Sequence, residues 1–330
     1  MGRLGRALCA IVAASAAALL VSPQAFAQSS ATTWPQRPVR FIVSLGPGSG
    51  ADISARLVAD RLSAHWKQTV VVENRPGGDA VVAITAFIGA RDDHTFLYSP
   101  TSSFTAHPYQ LAKVPYDAAE LHPVARISNT LVGFVVPASS KVTTVKDFVA
   151  QVKAQPDKLN YTTATGMTDV IFDGYFKSSG MVITRVPYKD TVQALTDLGE
   201  GRIQAYIGAL AIVRPHVQSG RARLIAVTNG ERAAAFPDTP TVAQAGVPDM
   251  TFDGLVGLFG MRGLPDDVRD RIAADIADVL KDPEINAKLT ATGQALTPGT
   301  GKELAASIQS QRDKLAAIAK TLGVKAAPSP

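Results

Sequence analysis

Cysteine is all but missing from this chain: 330 residues contain a single one, Cys9. Neither a disulfide framework nor a thiolate nucleophile is available to the rest of the sequence. Aromatic residues make up only 6%, and Lys and Arg nowhere form a block, so neither base-stacking platforms nor a phosphate-backbone footprint is expected. The histidines, His65, His94, His107, His122 and His216, are scattered singly, without His-x-x-x-His spacing, and call for no metal. After the first 27 residues, no uncharged apolar run approaches the ~20 residues that a membrane span needs.

The N-terminus is the one strongly biased segment. Arg3 and Arg6 precede an alanine-rich apolar run over 8–21, and Ala25-Phe26-Ala27 supplies a small-x-small cleavage pattern, so residues 1–27 read as a secretory signal peptide. That reading places the mature protein in the periplasm and removes Cys9 with the signal. Residues 1–27 hold two Arg and no acid, so the formal charge falls from +5 to +3, enough to attract small anions and little more.

What the chain does have is alternation. A β-branched run at 39–45 stops at Gly46-Pro47-Gly48-Ser49-Gly50-Ala51-Asp52, and a helical pattern over 52–66 follows directly. A strand, a glycine-rich turn and a helix start together aim backbone N–H groups and the helix dipole at an anion beyond the strand end. Asp52, at the helix start, reads chiefly as a cap for backbone N–H groups. Strands at 69–73 and 95–98, with a helix reaching about residue 90 between them, give a βαβαβ unit and hence a parallel sheet. Further strands are expected at 130–137, 158–161, 183–187, 203–207, 223–227 and 255–260, and helices at 144–154, 170–178, 191–199, 266–281 and 302–322. The 162–169 segment repeats the logic of the first turn with Thr162, Thr163, Thr165 and Thr168 as neutral hydroxyl donors. Two such turns at strand ends suit a ligand cleft between two α/β domains.

A second functional reading stands beside this one. Gly46-x-Gly48-x-x-Ala51 fits the loose dinucleotide fingerprint, with Glu73 at the end of the next strand as the ribose-binding acid of an NAD-dependent, Rossmann-type oxidoreductase. No Lys follows Gly50 as a phosphate loop requires, and Pro47 stands where a nucleophile elbow needs glycine.

The chain resembles the substrate-binding receptors of tripartite tricarboxylate transporters, the Bug family, from Trp34-Pro35 to about Gly323. The motifs that carry the resemblance are Trp34-Pro35-x-x-Pro38-Val39-Arg40-Phe41-Ile42-Val43, Gly48 to Arg56, Val70-Val71-Val72-Glu73-Asn74-Arg75-Pro76-Gly77, and Leu159-Asn160-Tyr161. They continue with Val186-Pro187-Tyr188-Lys189, Arg214-Pro215-His216, Ala226-Val227-Thr228 and the run from Pro237 to Gly246. The resemblance implies an α/β, two-domain type II periplasmic-binding-protein fold with its cleft between domains. The first domain is expected at 34–132 plus 256–330 and the second at 133–255, with hinge crossings near 133–136 and 255–260. It implies a small carboxylate ligand, delivery to the large and small subunits of a membrane permease or presentation to a sensor kinase, and a monomeric receptor without cofactor or catalysis.

The ligand-binding residues it implies are Leu45, Gly48, Ser49, Gly50 and Asp52 in the first turn, and Ser99, Thr101, Ser102 and Phe104 after the third strand. In the second domain they are Thr163, Thr165, Gly166, Met167, Thr168, Tyr188 and Gly208. Several segments depart from the family pattern. The usual Gly-Gly pair of the first turn is Gly48-Ser49, the third strand leads into Ser99-Pro100-Thr101-Ser102-Ser103-Phe104, and a Phe-Asp-Asn segment is replaced by Ile207-Gly208-Ala209. Without an acid at Gly208 a ligand ammonium loses its natural partner, while Phe104 and Met167 are expected to add apolar surface to the cleft. The expected ligand is therefore a carboxylate without an amino group, either a dicarboxylate or an acid with an apolar or aromatic body.

Overall fold

The computed structural model describes residues 34–163, 167–188 and 191–328. The expected signal peptide at 1–27 lies outside them. In the first part of the chain, β1 (Val39–Val43), α1 (Gly50–Trp66), β2 (Val70–Asn74), α2 (Val81–Ala90), β3 (Thr95–Pro100) and α3 (Thr101–Gln110) follow one another. β1 runs parallel to both neighbours, Phe41 facing Val72 on one side and Phe96 on the other.

β4 (His122–Thr130) belongs to this sheet, and β5 (Val132–Pro137) to the next. Only Leu131 separates them. The run 130–137, expected as one strand, is thus the place where the chain passes between sheets. The second sheet then forms from β6 (Asn160–Thr163), β7 (Thr184–Arg185), β8 (Ala205–Ala209) and β9 (Ala222–Val227). Its helices are α4 (Val145–Ala154), α5 (Met167–Ser178), α6 (Thr191–Gly199) and α7 (Leu210–Gln218). The chain returns to the first sheet with β10 (Gly254–Gly260), then α8 (Asp266–Val279), α9 (Pro283–Ala291), β11 (Gln294–Thr300) and α10 (Gly301–Leu322). The strand orders are β11-β4-β10-β3-β1-β2 and β7-β6-β8-β5-β9. β10 is antiparallel to both β3 and β4, so the first sheet is parallel only over β1 to β3.

Period-two alternation builds two apolar layers on each sheet. In the first sheet Phe41, Val43, Phe96 and Tyr98 face α1 and α8, while Ile42, Leu97 and Phe259 face α2, α3 and the start of α10. In the second, Phe134, Tyr161 and Ile207 face α4 and α5, and Val135 and Tyr206 face α6 and α7.

α10 belongs to neither sheet alone. Its first residue follows a capping box in which Thr300 and Glu303 satisfy each other's backbone N–H groups. Leu304 and Ile308 then join the first-sheet core, and about two turns further on Leu315 joins the second. The contact with α5 is close because Gly174 has no side chain; a methyl group there would overlap Ile318.

Leu315 is fully buried at this joint. Truncating it with Leu315→Ala removes apolar contacts and leaves a cavity, a loss expected at about 2–5 kcal/mol. Urea unfolding followed by far-UV circular dichroism checks this, and a change under about 1 kcal/mol would mean that α10 does not hold the second sheet.

Candidate functional site

The first turn is built around Asp52. Its carboxylate is buried, 3% exposed, although it belongs to the first turn of a helix. One oxygen accepts the Gly48 N–H at 2.8 Å; the other accepts from Asn74 at 2.8 Å and from Arg56 at 3.0 Å. Ser49 caps the helix, its hydroxyl accepting the Asp52 N–H at 3.2 Å. Gly48 sits at φ +81°, in the left-handed region that a side chain disfavours. The Asn74 amide also donates to the Leu45 carbonyl at 2.9 Å, which fixes the far side of the turn.

The Arg56 guanidinium is occupied by Asp52 and Asn74, so it does not project into the turn. The first N–H groups of a helix have no carbonyl one turn back, which leaves those of Gly50 and Ala51 as donors at the carboxyl end of β1. Gln294, 3% exposed, stands against Gly50, where a Cβ would come within 2.5 Å of its Nε2. Its amide is anchored by Ser128 at 2.8 Å and by Thr130 at 3.1 Å. Sequence reading missed Gln294, since a lone glutamine at the start of an unrecognised strand carries no signal.

The segment after β3 meets the first turn. The Ser44 and Ser99 hydroxyls share a hydrogen bond of 2.8 Å, tying the ends of β1 and β3. Thr101, at the start of α3, donates to Gln311 of α10 at 2.8 Å, and Gln311 donates to the Asp253 carbonyl at 2.8 Å. Ser102 lies half-buried beside it. Phe104 is packed in the first-sheet core, edge-on to Phe259 at 5.2 Å, so it contributes no open apolar surface.

On the other side, Thr163 ends β6 and donates to Asp169, which Arg185 meets at 3.0 Å. Thr165 and Gly166 lie outside the described residues. Met167 opens α5 and is 1% exposed in the second-sheet core, with the Thr105 hydroxyl of α3 at 3.5 Å from its sulfur. Thr168 beside it is also buried. Burial and the neighbouring carboxylates Asp173 and Asp79, opposed by Arg185, raise the Asp169 carboxyl above its ordinary value. Asp79 comes from the first half of the chain, held by Ser103 at 3.2 Å. The Tyr188 hydroxyl is engaged with Asp197 at 2.6 Å. Gly208 is the next-to-last residue of β8, opposite Gly133 of β5, with the Tyr206 ring lying over it.

The connecting strands are pinned together close by. The Asn229 side chain accepts the Val132 N–H at 2.8 Å and donates to the Thr130 carbonyl at 3.0 Å, while Asp253 accepts from Asn129 at 2.6 Å. Among the described residues no group of three or more His, Cys, Asp or Glu side chains could hold a metal ion. Glu73, the acid of the dinucleotide reading, is engaged by Arg75 at 2.6 Å and by Arg40 at 3.5 Å. Among the described residues no helix is long and apolar enough to cross a membrane. The arrangement can bind an anion through neutral donors.

The sequence profile of the tripartite tricarboxylate transporter family receptors matches residues 54–324. The chain belongs to this family of periplasmic solute-binding proteins. It is 31% identical over 323 residues to a UPF0065 protein of Bordetella bronchiseptica, an alignment covering 96% of each chain. It is 28% identical over 301 residues to the protein BugT of Bordetella pertussis, covering 90% of this chain and 92% of that one. Among solved structures, R. palustris Rpa4515 with adipate superposes with a TM-score of 0.74 at 28% identity, covering 88% of this chain and 99% of the other. Family and fold together favour a solute receptor over the dinucleotide oxidoreductase.

Asp52 yields a pH prediction. Burial would raise its carboxyl, but the Gly48 N–H, Asn74 and Arg56 outweigh that and hold it below the ordinary value. A folded-state pKa below the unfolded one, about 4, contributes stability above that pH and loses it as pH falls through the folded value. Asp52→Ala is expected to cost about 1–3 kcal/mol at pH 7 by removing the hydrogen bonds that Gly48, Asn74 and Arg56 donate to a charged group. Chemical denaturation at pH 7 and pH 3 checks this: the gap between wild type and variant should shrink in acid, and a constant gap would contradict the assignment.

Proposed function

We propose that the protein is an extracytoplasmic receptor for a small carboxylate without an amino group, a dicarboxylate being favoured, which it passes to the membrane subunits of a tripartite tricarboxylate-type transporter. The observation that carries the reading is the first turn: N–H groups at a helix start, shaped by Asp52, with the Arg56 guanidinium paired to that carboxylate and to Asn74. Backbone donors and hydroxyls hold a carboxylate less tightly than a bidentate Arg would, which suits a carrier that must release its cargo. Membership of a receptor family described by tricarboxylate transport and the likeness to an adipate-bound protein support the same ligand class.

In this reading Gly48, Ser49, Gly50, Thr101 and Ser102 take one end of the ligand, and Thr163, Thr168 and Gly208 line the other side of the cleft. The two halves, 34–132 with 256–330 and 133–255, close by hinge motion at the paired crossings held by Asn229 and Asp253. Ligand contacts completed only on closure shift the population toward the closed form, which a permease or a sensor kinase can distinguish. Residues 1–27 serve as the signal peptide that delivers a monomeric receptor to the periplasm.

A thermal-shift panel of adipate, malate, phthalate, aspartate, glutamate and NADH tests the reading. A ligand at about 100 times its Kd stabilises the folded state by about 2.7 kcal/mol, and a diacid is expected to give the largest rise in Tm. Greatest stabilisation by aspartate or glutamate would refute the ligand class. Stabilisation by NADH alone would favour the oxidoreductase.

A further inference from the structure

At the crossing between the two sheets lies a recess of about 50 Å³ that neither turn of the cleft lines. Its walls come from both sheets: α7, packed on the second, faces Gly293 and the first residues of β11, with Leu131 between them. Alanine and leucine side chains make up most of the lining, and no acidic residue belongs to it. The one ionisable group there is Arg214. It is half-buried and makes no hydrogen bond or ion pair among the described residues. A guanidinium carries five N–H donors, so an unpaired one against apolar walls attracts an anion.

The elements around Arg214 add donors and leave room. α7 has no side-chain cap at its start, where Ala209 is the N-cap. The Leu210 N–H is used by the Leu131 carbonyl at 2.7 Å, but the N–H groups just after it have no carbonyl one turn back. Ala211 stands three residues before Arg214 and hence on the same face of the helix. Gly293 keeps the space against it open: a Cβ there would lie 3.0 Å from the Ala211 nitrogen, and its φ of +73° suits glycine. The Gln294 amide donates one N–H to Thr130 at 3.1 Å, which leaves its second for a ligand.

We infer that this recess is an anion site, holding one monovalent acid group or inorganic anion between the Arg214 guanidinium, the start of α7 and the Gln294 amide. Its size admits such a group and falls far below the ~300 Å³ at which pockets for whole organic ligands begin. Gln294 also stands against Gly50 at the start of α1. The group is therefore either a free small anion or the far acid of a diacid whose near end sits at the first turn; the second source rests on the carboxylate-receptor reading above. From either source it bridges α7 and β11, one element from each sheet.

Wild type, Arg214→Gln and Arg214→Lys test the inference and distinguish the sources. Thermal unfolding compares sodium formate with sodium gluconate at equal ionic strength, gluconate being too large for the recess. A free anion predicts that formate raises the wild-type Tm by about 2 °C or more over gluconate, as a ligand several times above its Kd does. Arg214→Gln should lose that difference and Arg214→Lys keep part of it. Isothermal titration reads the other source. Arg214→Gln should then bind adipate about 10- to 100-fold more weakly, the range of a hydrogen bond to a charged group, and hexanoate within about twofold of wild type. In gluconate all three proteins should melt together, because Arg214 has no partner to lose. A lower Tm of Arg214→Gln in gluconate overturns the inference. So does an Arg214→Gln protein that matches wild type in both its formate response and its adipate affinity, an outcome that leaves the receptor reading standing. A wild type that responds to neither formate nor adipate overturns it as well. A wild type that binds neither adipate nor hexanoate, yet keeps an Arg214-dependent formate response, supports the site and counts against the receptor reading alone.

Discussion

A buried carboxylate at the start of a helix is the constraint on which the site depends. Asp52 cannot be left uncompensated inside the protein, and three donors from three places converge on it: Gly48 from the turn, Arg56 from the same helix, and Asn74 from the end of β2. Satisfying that one group fixes the path of residues 45–49 and consumes the Arg56 cation. What is left for a ligand is the start of α1 with its dipole and unshared N–H groups. Internal charge balance is settled by Arg56, which leaves the backbone N–H groups for the anion of the proposed reading.

From this turn a chain of hydrogen bonds runs toward the strands that cross between the sheets. Ser44 and Ser99 lock β1 to β3, and β3 runs straight into α3, whose first residue is held by Gln311. Gln311 reaches on to the Asp253 carbonyl, next to the strands that cross between sheets. α10 carries Gln311 between Ile308 in one core and Leu315 in the other. α10 therefore ties the start of α3 to both cores.

How much of this was legible in the sequence depended on the kind of signal. The first βαβαβ unit was readable because 39–45, 52–66 and 69–73 each follow a clean period and are punctuated by glycine, asparagine and proline. The structure trims β1 to end at Val43 and extends α5 back to Met167. β4 and β11 were invisible: Pro123 interrupts one and Pro298-Gly299 the other, and both rely on tertiary pairing, with irregular register against their neighbours. α7 and α3 each contain an internal proline, Pro215 and Pro108, that argues against a helix when only local sequence is considered. At the site, the turns could be located from spacing, whereas the long-range partners could not. Gln294 and Gln311 meet Gly50 and Thr101 only after folding, and no pattern in 294 or 311 announces it. Phe104 and Met167 show the ambiguity of an apolar residue in a polar segment, which reads equally well as cleft surface or as core; the structure buries both side chains.

The central claim is that a small acid, held between the two turns, is the cargo. Native mass spectrometry of the protein purified gently from the periplasm tests it most directly. The account predicts a chain beginning after residue 27 that carries one small carboxylic acid, released when the protein unfolds. A bound dinucleotide, or a chain that stays empty even after incubation with di- and monocarboxylates, would contradict it.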